Sequence, residues 1–101
     1  MKKTLKFECD DHYEAEKLAS LLSVQKDNTV WVSGVEAVVD NEIVIQLKDR
    51  SSHAVLLKDE ETVVRLESFI TDLMKGKIKK IQSSECLGSV TEITVVLDNN
   101  S

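Results

Sequence analysis

Proline is absent from this 101-residue sequence, and glycine occurs only three times. With so few backbone hinges there is no segment of linker composition, and neither a low-complexity tract nor an internal repeat is evident. One continuous domain spanning residues 1–101 is expected. The glycines, Gly34, Gly76 and Gly88, stand far apart, which excludes the clustered-glycine loops that let phosphate approach backbone amides in dinucleotide-binding and P-loop proteins. The Gly-x-Ser-x-Gly nucleophile elbow is missing for the same reason. Histidine is equally scarce: with only His12 and His53, a Ser or Cys triad has no motif behind it, and no enzymatic activity is expected. No cofactor is implied.

Long apolar runs are lacking too. The longest, Ala54 to Leu57, falls far short of the roughly 20 residues that cross a bilayer, so no membrane association is expected. Met1-Lys2-Lys3 imitates the start of a signal peptide, but Lys6, Glu8, Asp10 and Asp11 occupy the place of its apolar core. A cytoplasmic protein whose two cysteines, Cys9 and Cys86, remain reduced thiols is expected. Basic charge is also in deficit. Thirteen Lys and Arg against eighteen Asp and Glu leave a net charge of −5, opposing any partner bound through phosphates, so no nucleic-acid partner is expected. The one basic cluster, Lys75, Lys77, Lys79 and Lys80, reads as a solvated helix end favoured by the helix dipole.

What the chain does contain is globular: 42% hydrophobic residues, too apolar for disorder. Residues 4–9 alternate Leu5, Phe7 and Cys9 against Lys6 and Glu8, the period of a half-buried strand. Asp10 or Asp11 can cap a helix whose apolar positions Ala15, Leu18, Ala19 and Leu22 share one face. Thr29 to Val39 is β-branched enough for a long strand. Asp40-Asn41 turns it back into Glu42 to Leu47 as an antiparallel hairpin. Asp49 to Ser52 is turn chemistry, and residues 53–57 read as a third strand of the meander. A second helix starts at Asp59 or Glu60, carries Val63, Leu66, Ile70 and Leu73, and stops at Gly76. After a polar stretch, Val90 to Leu97 alternates again. The order β-α-β-β-(β)-α-β predicts an α+β two-layer sandwich, a mainly antiparallel sheet of 4–5 strands with both helices on one face, ferredoxin-like in order if 53–57 is not a strand.

Trp31, the only tryptophan, lies in a strand that is apolar on both sides. With Gly34 producing a bulge, Trp31, Ser33, Glu36 and Val38 fall on the reverse side, where Val44 and Val96 of neighbouring strands join them. Two helices shield one layer, so this combination predicts an exposed apolar patch for a protein partner or a second copy in a homodimer, the alternative being coverage by the 76–89 segment or the N-terminus. Asp10, Asp11, Glu14 and Glu16 form an acidic edge able to steer a basic partner, although a solvated helix start explains the same residues. Two alternatives use other residues. Trp31 as a stacking platform with Arg50 and Arg65, the only arginines, as anion receptors would make a small-ligand or nucleotide-sequestering pocket at a subunit junction. Cys9 and His12 would make a metal-binding pair, although their spacing matches no familiar zinc module. The leading expectation is a non-enzymatic small acidic binding protein acting by protein–protein contact, comparable in composition to inhibitors or adaptors of bacterial or phage origin.

Overall fold

The computed structural model describes residues 2–23, 25–26, 29–78, 81–86 and 91–98. Asp27, Asn28, Lys79, Lys80, Gly88 and Val90 lie outside these residues. Within them the chain runs β1 (Lys2–Glu8), α1 (His12–Ser23), β2 (Gln25–Lys26), β3 (Thr29–Val30), β4 (Val32–Val39), β5 (Glu42–Leu47), β6 (Ser52–Leu56), α2 (Glu60–Met74), β7 (Ile81–Glu85) and β8 (Glu92–Asp98). It is an α+β fold.

The main strands form two three-stranded antiparallel sheets, ordered β1-β8-β7 and β4-β5-β6, with β2 and β3 a separate two-stranded sheet. Alternation places Phe7, Cys9, Ile43, Ile45, Leu47, Val55, Ile93, Val95 and Leu97 on the buried side, in one cluster with Ala15, Leu18 and Leu22 of α1 and Val63, Leu66 and Ile70 of α2. The expected strand at 53–57 is present as β6, paired throughout with β5, while Leu57 lies just beyond it. The expected strand 29–39 is interrupted at Trp31: its first two residues pair with β2 and the remainder with β5. Two strands, β6 and β7, exceed the four of a ferredoxin-like order. The polar sequence Ile-Gln-Ser-Ser-Glu of β7 has no alternating signal of its own and becomes an edge strand by pairing with β8.

The structure also holds the internal repeat that is not evident in the sequence. β1-α1-β4-β5 and β6-α2-β7-β8 are two βαββ units with equivalent strand pairing, the first carrying the β2-β3 pair as an insertion between its helix and β4. At the junction between the sheets Cys9 bridges Leu57. Cys9 N–H donates to the Thr91 carbonyl at 2.8 Å as Leu57 N–H donates to that of Asn41 at 2.7 Å, while Asp10 N–H meets the Leu56 carbonyl and Lys58 N–H that of Glu8, both at 3.0 Å. Asp11 caps α1 through Glu14 N–H at 2.9 Å, and Asp59 caps α2 through Thr62 N–H at 2.8 Å. One bulge recurs as well, between Val32 and Gly34 against β5 and between Ile81 and Ser83 against β8. Each helix packs mainly on the strands of the other unit: α1 on β6, β7 and β8, α2 on β1, β4 and β5. The halves are therefore interlocked about a pseudo-twofold axis through the Cys9–Leu57 bridge.

Candidate functional site

Beyond that bridge β1 and β6 do not pair, and helix side chains satisfy part of the exposed seam. Glu14 accepts the Leu56 N–H at 3.1 Å, and Lys17 donates to the Ala54 carbonyl at 3.0 Å. At the equivalent place in the other half Arg65 donates to the Lys6 carbonyl at 3.3 Å, with its guanidinium 5.6 Å above the Phe7 ring. Three of the four acids of the sequence-predicted edge thus have partners within the fold. Asp11 is a cap, Glu14 closes the seam and pairs with Lys17 at 3.3 Å, and Glu16 pairs with His12 at 3.1 Å. Asp10 is exposed.

The apolar triplet is not brought together on one sheet. Val44 lies on β5 and Val96 on β8, both half-buried and in different sheets, with β6 and β1 between them. Trp31 packs against the core cluster, and its carbonyl accepts the Lys48 N–H at 3.0 Å. The anion-receptor set is likewise divided. Arg50 lies in the turn after β5 with a φ of 74°, near the Trp31–Lys48 contact, whereas Arg65 sits over Phe7 at the seam. Cys9 is buried, and burial, reinforced by the negative charges of Glu14 and its neighbours, pushes its thiol up to about 12. Among the described residues no three His, Cys, Asp or Glu side chains gather into a metal site.

What sequence reading missed is a groove between β4 and the C-terminal half of α2, with a volume of about 530 Å³. β4 is an outer strand of its sheet and carries two bulges, at Ser33 and at Glu36, which Ser33 reinforces by donating its hydroxyl to the Gln46 carbonyl at 3.1 Å. Gly34 lets Met74 lie across the strand, because a Cβ there would stand 3.3 Å from the Met74 sulfur and methyl. Val38 and Met74 expose 41% and 55% of their surface, a solvent-facing apolar pair at the groove. Glu36, Glu67 and Lys75 give it two carboxylates against one ammonium, and the Ser52 hydroxyl donates to Glu36. The available sequence signal was the excess of apolar residues on both sides of the strand, which did not point to the helix beside it.

No protein-family model, curated protein or solved structure matches the chain.

Proposed function

We propose that this protein is a non-enzymatic binding module that holds an extended, basic segment of a protein partner along the outer edge of β4. The observation carrying this reading is the exposed Val38 and Met74 pair in a groove beside a sheet edge, accompanied by a surplus of carboxylates. An edge strand offers main-chain partners to an incoming extended segment, and adjoining pockets select its alternate side chains. Apolar contact would provide affinity, while Glu36, Glu67 and the net charge of −5 favour Lys- or Arg-bearing segments. The mechanism is steric occupation, as for an inhibitor or adaptor.

The test is titration of isotope-labelled protein with a pool of extended peptides that carry alternating apolar and basic residues, followed by amide shifts. Shifts confined to β4 and the second half of α2, and at least tenfold weaker binding by Val38→Lys, are expected. Saturable binding whose shifts lie elsewhere, or no binding by any basic peptide, overturns the reading. Edge pairing with a second copy instead of a peptide would appear as a concentration-dependent dimer lost in the same variant, and would also count against a peptide occupant.

A further inference from the structure

A second polar constellation lies at the opposite end of the pseudo-twofold frame, where the start of α1 meets the end of β7. His12 and Glu16 are one helical turn apart, and Glu16 Oε1 stands 3.1 Å from His12 Nε2. An ionised carboxylate only accepts hydrogen bonds, so the neutral tautomer that this contact favours carries its proton on Nε2 and presents Nδ1 as an acceptor. That nitrogen lies 3.9 Å from Cys86 Sγ. A thiol, a base and a group orienting the base are thus arranged in series, with the first contact at the long separation common before a substrate is bound. Beside them is a polar pocket of about 320 Å³ lined by Glu16, Ala19, Ser20, Ser84 and Cys86.

The repeated frame does not require this arrangement. The capping aspartates and the seam cations occur in both halves, as structural parts should. The second-half counterparts of His12 and Glu16 are Glu60 and Val64, and the first-half counterpart of Cys86, one step beyond the equivalent strand pairing, is Val38. The thiol, imidazole and carboxylate therefore coincide at one end only. Cys9 provides the contrast within the same molecule: it is 2% exposed, and burial pushes its thiol up to about 12.

We infer that Cys86 is a site of reversible modification by small disulfides, with His12 as its base and Glu16 as the residue positioning that base. The Cys86 thiol proton passes to His12 Nδ1 as sulfur attacks one sulfur of the disulfide. A new S–S bond forms, the old one breaks, and the departing thiolate takes the proton back from the imidazolium. Electrons balance within the exchange, and no further oxidant is consumed. Glu16 at the pocket favours a disulfide whose free ends are ammonium groups, so cystamine is the appropriate probe.

The experiment follows the mass of the intact protein with cystamine at pH 7. One added cysteamine at Cys86, with Cys9 unmodified, is expected. Reaction roughly tenfold slower in His12→Gln and a smaller slowing in Glu16→Gln should follow, each variant being checked for native circular dichroism. The wild-type chain in denaturant supplies a control independent of those variants: native Cys86 should react faster than the same thiol unfolded. Equal native and denatured rates, equal rates for wild type and a folded His12→Gln, or preferential modification of Cys9 would overturn the assignment. The outcome is independent of peptide docking at β4, which uses none of these residues.

Discussion

Single residues in this protein act mainly through the backbone groups and packing surfaces they complete. Trp31 belongs to the packed interior margin, so Trp31→Ala should cost about 1–3 kcal/mol of stability, measured by urea unfolding, instead of leaving the fold intact and weakening only association. Asp59 shows a charge effect with a defined direction. The Thr62 backbone N–H and hydroxyl, both at 2.8 Å, hold its carboxyl below the usual carboxylate range. A depressed folded-state value means that the stabilisation is complete above the unfolded value, near pH 4, and is lost as pH falls through the folded one. Asp59→Ala should accordingly lower the urea midpoint at pH 7, Asp59→Asn should restore much of it, and the gap between wild type and Asp59→Ala should close in acid.

Elements are joined by an incomplete ladder, and the clearest consequence concerns the seam between β1 and β6. Glu14 is the observed acceptor for the Leu56 N–H there. Glu14→Ala leaves that donor without its carboxylate, at a cost of about 1–2 kcal/mol. Amide exchange should accelerate at Leu56 well beyond the change at Ile43, Ile45 or Val55; uniform acceleration would show that the carboxylate supports the whole fold instead of the seam. The sequence made β1 and β8 legible because Phe7-Glu8-Cys9 and Ile93-Thr94-Val95 alternate at period two, and β5 because Asp40-Asn41 turns the β-branched stretch before it back into Glu42 to Leu47. Both helices were legible from apolar spacing and from aspartate caps. β7 was not, since Gln82-Ser83-Ser84 carries no apolar stripe and acquires its conformation from β8.

For the whole molecule the decisive fact is that each βαββ unit lends its helix to the other's strands. Neither half has its own covered sheet, so a chain ending in the turn at Asp49 should be unfolded alone. Mixing it with the remaining segment should restore α-helical circular dichroism at equimolar ratio. Independent folding of either half would refute the interlocked packing. The same frame places the β4–α2 groove and the Cys86–His12–Glu16 set at its two ends, two surfaces with different polar chemistry on equivalent scaffolding.

By itself the sequence determined what depends on near neighbours: the α+β class, both helices with their caps, the β4–β5 hairpin and the alternating strands, together with a charge unfavourable to nucleic acid. It also marked Trp31, Val44 and Val96 as individually apolar, but their placement in separate surroundings came only with the sheets. Tertiary structure alone decided the split into two sheets, the twofold repeat, the groove under Met74 and the approach of Cys86 to His12. These arise between residues far apart in the chain. The halves share few identities beyond positions such as Asp11 and Asp59, Leu18 and Leu66, or Ile43 and Ile93. Burial constrains apolar character and caps constrain a carboxylate, whereas the remaining positions of the two halves need not match, so the repeat stands in backbone hydrogen bonds and not in the amino-acid order.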